Sequence, residues 1–170
     1  MPRRRAPRNG RVFALILFFA AATANKSAVT ARPVPSKAMS ACTAVTSEDL
    51  ERALGRRFVR GEEATTGAES TCDYGSGNGQ VSITIQRLPA KLNLPAEIES
   101  LKKTIEDSSV RMVPGLGSEA FYLDIRGAGT QLHVIRGDRD YIMVSILGLG
   151  DAAAVSAAAE QVARTVLDRI

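Results

Sequence analysis

The chain has 170 residues, with 22 basic and 18 acidic side chains, one His, two Cys and no Trp. Its formal charge of +4 comes from the first 24 residues, where Arg3, Arg4, Arg5, Arg8 and Arg11 stand without an acid, leaving 17 basic and 18 acidic groups in the remainder. A remainder of net −1 carries no electrostatic footprint for nucleic acid, and the lack of Trp argues against an aromatic carbohydrate platform.

Arginines at the start, a thirteen-residue uncharged stretch from Val12 to Ala24 and the small-residue site Ala22-Thr-Ala24 spell a secretory signal peptide over residues 1–24. A retained membrane anchor would need about 20 apolar residues. Membrane contact is therefore expected only through an uncleaved signal. Met39-Ser-Ala-Cys42 is a poor lipoprotein box, because it lies far from the apolar stretch and has Met where Leu is usual. Residues 25–41 show no periodicity and contain two prolines, which reads as a linker. Residues 42–170 suffice for one domain with a core of its own.

Cys42 and Cys72 both fall in the exported part. Two cysteines in an oxidising compartment most simply pair. Two free thiols or a metal pair is the alternative, and one His with two Cys does not complete a zinc set without carboxylates. No metal site is expected.

The domain opens with a helix capped by Thr46-Ser-Glu-Asp49, stapled by Val45 and Leu50 and ended by Gly55. Strands follow at 57–60 and 70–74, then a turn at Gly75-Ser-Gly-Asn-Gly79. Gln80 to Arg87 alternates, with Val81, Ile83 and Ile85 on one side, as a half-buried strand does. Leu94, Ile98, Leu101 and Ile105 recur at helical spacing, with Pro95 at the first position after Asn93 or Leu94. Strands are expected at 110–113, 120–125, 131–136 and 141–147. Asp151 caps a last helix whose stripe is Ala152, Val155, Ala159, Val162, Val166 and Ile170. The expected class is α+β: a mainly antiparallel sheet with two or three helices packed on it.

Gly77-x-Gly79 and Gly127-x-Gly129 are 50 residues apart, as are Glu69 and Glu119. Two copies of a helix-plus-hairpin unit would produce this; so would chance in a Gly-rich chain.

The last hairpin has a definite register. A two-residue loop would set Arg136 against Arg139. A three-residue loop pairs Arg136 with Asp140, Val134 with Ile142, Leu132 with Val144 and Thr130 with Ile146. The second register is favoured, because it gathers the β-branched residues and opposes unlike charges. The other side then carries Gln131, His133, Ile135, Tyr141, Met143 and Ser145. It is either a second packing layer or a binding surface.

Gly148-Leu-Gly150-Asp, between a strand and a helix, has the order of a dinucleotide-binding turn. The chain ends with that helix, so no second strand and no ribose-binding acid follow, and Asp151 stands where a phosphate would sit. No nucleotide and no cofactor are expected. His133 lacks a serine in a nucleophile-elbow context. Arg136-Gly-Asp138 spells an adhesive tripeptide, yet a charged hairpin turn explains it fully.

A Cys before a short acidic helix ending in Ala53-Leu-Gly55, then Cys72-Asp-Tyr74, then Gly115-Leu-Gly-Ser-Glu-Ala-Phe-Tyr122, then an Ala-rich last helix, form a pattern. Over residues 42–170 it resembles small exported proteins and lipoproteins of unknown function, especially actinobacterial ones. The resemblance implies an extracytoplasmic α+β domain and carries over no catalytic residue. The expected function is a non-enzymatic exported binding module. Its partner would be an envelope or extracellular protein, met through Gln131, His133, Ile135, Tyr141 and Met143. The alternatives are a cell-envelope hydrolase using His133 with a carboxylate, or a structural accessory domain.

Overall fold

The computed structural model describes residues 39–170. The signal peptide expected over 1–24 and most of the expected linker lie outside the described residues. The linker's end is corrected: Ser40 caps a first helix, α1 (Ala41–Ala44), and Ala41 is fully buried, donating its N–H to the Ser70 hydroxyl at 2.9 Å. Four residues are too short for a periodic signal, so this helix is not visible in the sequence.

Helix α2 (Ser47–Leu54) forms as its ends dictate. Thr46 and Asp49 make the reciprocal capping box, and Gly55 closes the helix at φ 67°. Three strands follow, β1 (Val59–Thr66), β2 (Glu69–Ser76) and β3 (Gly79–Arg87). Strand β1 is longer than the expected 57–60 and starts later. It is exposed along its whole length and bulges between Arg60 and Glu63. An edge strand that buries neither side leaves no alternation to read.

Helix α3 (Leu94–Thr104) is capped by Asn93, whose Oδ1 accepts from Ala96 N at 3.3 Å. Next come β4 (Ser108–Met112), β5 (Glu119–Ile125), β6 (Gly129–Arg136), β7 (Asp140–Leu147) and α4 (Ala152–Arg169), the last capped by Asp151. All neighbouring strands are antiparallel, in the order β1-β2-β3-β7-β6-β5-β4. The β6–β7 register is the three-residue one, with Arg136 opposite Asp140 and Val134 opposite Ile142.

The core lies on one face of this sheet. Val81, Ile83 and Ile85, Leu132 and Val134, and Ile142, Val144 and Ile146 meet α1, α2 and α4 there. Cys42 and Cys72 are bonded and join α1 to β2, with Cα atoms 5.1 Å apart. Two polar clamps hold the helices down. Asp49, nearly buried, receives Arg169 from the end of α4, the second contact being 3.1 Å. The Tyr122 hydroxyl lies 2.8 Å from the Ser156 carbonyl and 2.9 Å from Glu160 Oε1, and Arg111 sits 4.3 Å over the Tyr122 ring. Neither clamp is apparent from sequence spacing, since each joins residues far apart in the chain.

The 50-residue spacing has a structural counterpart. Glu69 and Glu119 start β2 and β5, while Gly79 and Gly129 start β3 and β6. Each half is a helix followed by three meandering strands. Because β7 is antiparallel to both β3 and β6, those two run parallel, and β7 lies between the halves. In strand order, a half-turn about β7 would exchange the halves and with them the two faces of the sheet, although the pairings are offset by one residue: Glu69 faces Gln86, and Glu119 faces Ile135. Accordingly α2 packs on the first face, and α3 packs on the second with Phe121 and Ile135.

Candidate binding face

Pairing across six strands sets Thr71, Thr84, Met143, His133, Phe121 and Met112 in one transverse row on the second face. The next row is Asp73, Ser82, Ser145, Gln131, Leu123 and Val110. A third brings Gln86, Tyr141 and Ile135 together. The expected side chains therefore do share a face, but that face is divided. Helix α3 lies over the β5–β6 side through Leu94, with Ile98 and Leu101 partly buried, against Phe121, Ile135 and Tyr141. His133 and Ile135 are 1% and 4% exposed. They belong to a second core layer and are corrected as contact residues: the apolar stripe of α3 needed somewhere to pack, and this was the surface available. Gln131, Tyr141 and Met143 are half-buried.

His133 is the polar centre of that layer. Its ring stacks on Phe121, parallel to 2° with centroids 4.5 Å apart. Nδ1 lies 2.5 Å from the Tyr141 hydroxyl. Nε2 is buried and, among the described residues, has no hydrogen-bond partner. Burial pushes the imidazole pKa down to about 4, so the ring is neutral near pH 7. Burial likewise raises the Tyr141 phenol, with a smaller contribution from Glu97. A general base has to reach a substrate proton; Nε2 is sealed, and Nδ1 is already engaged with the Tyr141 hydroxyl.

Known proteins add no assignment. No family model, curated protein or solved structure matches this chain. The residues must be judged by their own surroundings.

The Gly148-Leu-Gly150 turn has a packing explanation. A Cβ on Gly148 would lie 2.7 Å from the Asn78 carbonyl oxygen, and a Cβ on Gly79 would lie 1.9 Å from Leu149 Cδ2. The glycines let this turn dock on the β2–β3 turn, and Asp151 Oδ1 takes the α4 N-terminal donor, Ala154 N, at 2.8 Å. The Gly115-Leu-Gly117 segment is similar. Leu116 is buried, and Gly117, at φ 64°, would set a Cβ 2.4 Å from the Ile135 carbonyl. The adhesive reading of Arg136-Gly-Asp138 fails on one side chain: Arg136 bonds the Ile170 carbonyl and, at 3.1 Å, Asp140. Among the described residues, no group of three or more His, Cys, Asp or Glu side chains is arranged to hold a metal ion. No helix there is long and apolar enough to cross a membrane.

Proposed function

We propose that this protein is an exported, non-enzymatic binding module, and that its contact surface is the part of the second face beside α3. Gln131 and Met143 form its centre, with Thr71, Ser82 and Asp73 continuing it across β2 and β3. The carrying observation is the unequal cover of the two faces. Three helices pack on the first face; among the described residues α3 alone packs on the second, over the β5–β6 side. Short polar side chains around one Met give an adaptable, low-entropy surface with polar groups at its margin. Export is supported by the basic and apolar N-terminal sequence, by the resemblance to small exported actinobacterial proteins, and by the Cys42–Cys72 bond. The sealed Nε2 of His133 weighs against the hydrolase alternative.

The test is a photo-reactive residue at position 143 in the exported protein, with a control at Glu62 on the exposed edge strand. A discrete cross-linked partner from 143 alone is expected. The double variant Gln131→Ala, Met143→Ala should stay folded and lose capture of that partner. Undiminished capture would place the interface elsewhere.

A further inference from the structure

Helix α3 is held far more lightly than α4. Leu94 is its one buried residue, whereas α4 buries six. Beneath it sits a thinner second layer, in which Leu94 of α3 meets the buried Phe121 and Ile135 and the half-buried Tyr141, with Leu123 buried on the same face. His133 lies in the midst of that layer, with Nε2 sealed and unpartnered.

We propose that α3 is a releasable cover, and that a proton taken up by His133 Nε2 releases it. An imidazolium there is a buried charge with a bare donor. Among the described residues, no acidic side chain bonds to His133. Phe121 presents a ring from β5, while Met143 and the Tyr141 hydroxyl approach from β7. On β6 itself the same-face neighbours are Gln131 and Ile135. From α3, Glu97 raises the Tyr141 phenol but makes no hydrogen bond or ion pair with His133. The proton can keep the Tyr141 contact at Nδ1 and still leaves Nε2–H without an acceptor. Water is the remaining acceptor, and lifting α3 admits it at the smallest loss of packing. The closed form binds the proton more weakly than an exposed imidazole does, so acid shifts the closed–open balance toward open. With the imidazole at about 4 when closed and an ordinary value of 6.5 when open, the full shift is about 300-fold. The release stands whether or not the neighbouring surface binds a partner.

Hydrogen exchange of the full exported chain at pH 7 and pH 4, corrected for intrinsic exchange, reads this directly. At pH 4, where the closed form is itself half protonated, amides of α3 should lose protection by about 100-fold relative to pH 7 while those of β3, β6 and β7 keep theirs. His133→Leu, which fills the same space without a titrating nitrogen, should keep α3 protected at pH 4. Unchanged protection of α3 in the wild type, loss shared equally by the strands, or the same loss in a folded His133→Leu protein would each overturn the proposal. Should that variant not fold, the single imidazole can be titrated by NMR in the wild type. Its midpoint should coincide with the α3 amide changes, and titration without them would overturn the proposal equally.

Discussion

Removing the Asp49 carboxylate tests how the domain is tied together. In the folded chain this nearly buried group, which also pairs with the exposed Arg52 at 3.2 Å, has two main contacts. It accepts from Thr46 N at 3.0 Å, completing the cap of α2, and it receives the Arg169 guanidinium from the far end of α4. In Asp49→Ala the lost cap costs about 1 kcal/mol. Loss of a partner from a fully buried ion pair costs about 3–5 kcal/mol, but Arg169 is 40% exposed and regains water, so about 1–2 kcal/mol is the fitting figure here. The sum is about 2–3 kcal/mol, read as a shift of the urea midpoint at constant slope. The pH dependence follows from the same contacts. The Arg169 guanidinium holds the Asp49 carboxyl well below the usual carboxylate range. A depressed acid stabilises the fold above its unfolded pKa of about 3.9 and loses that contribution as pH falls through the folded value. The gap between wild type and variant should stay level from pH 8 to 5 and close only in strong acid. A gap below about 0.5 kcal/mol, or one that narrows between pH 7 and 5, would refute the clamp as described.

The Cys42–Cys72 bond should appear in non-reducing peptide maps; with a sequence separation of 30, its reduction should cost about 3–4 kcal/mol on the chain-entropy model, measured by denaturant titration with and without reductant. Gly129→Ala should destabilise by more than about 2 kcal/mol or prevent folding, because a Cβ at φ 136° would stand 2.1 Å from the Ile146 carbonyl oxygen; a thermal midpoint within a degree of wild type would contradict this. N-terminal sequencing of exported material should begin at Asn25, and an intact Met1 would count against the signal reading.

Much of the first face was legible because its signals are local and agree with one another. The capping box at Thr46 and Asp49, the alternation of Val81, Ile83 and Ile85, and the charge-matched turn between Arg136 and Asp140 each fix one element, and together they fix the core side of the central strands. What escaped is non-local or solvated. Strand β1 buries neither side, so its pattern is silent. The Asp49–Arg169 clamp spans 120 residues, and the Tyr122–Glu160 contact spans 38. Of the glycines at 148 and 150 that resembled a phosphate loop, Gly148 serves a close backbone approach to Asn78, which in a single sequence has the same signature.

The second face was legible as a set of residues and illegible as a surface, and the arrangement about β7 explains why. The 50-residue spacing sets Val81, Ile83 and Ile85 of β3 against Gln131, His133 and Ile135 of β6, one residue out of step with the pairing on β7, where Ile83 and Leu132 both face Val144. On the first face those positions lie fully in the core, under α1, α2 and α4. On the second, α3 is the one covering helix among the described residues. One helix has enough apolar stripe for Phe121 and Ile135 but not for the whole width of the sheet. Of the β6 and β7 residues on this face, Ile135, His133 and Ser145 are buried, while Tyr141, Met143 and Gln131 are half-open. A mixed sequence on a strand is what such a boundary requires. Period-two reading sees only the mixture; the position of the boundary depends on where α3 lands, and its stripe of Leu94, Ile98 and Leu101 does not encode a docking site. His133 is buried next to the half-open Gln131 and Met143, 50 residues on from Ile83, which is core. A titratable ring is poorly suited to filling core and well suited to a margin that opens, which gives one residue a part in both the packing of α3 and its release.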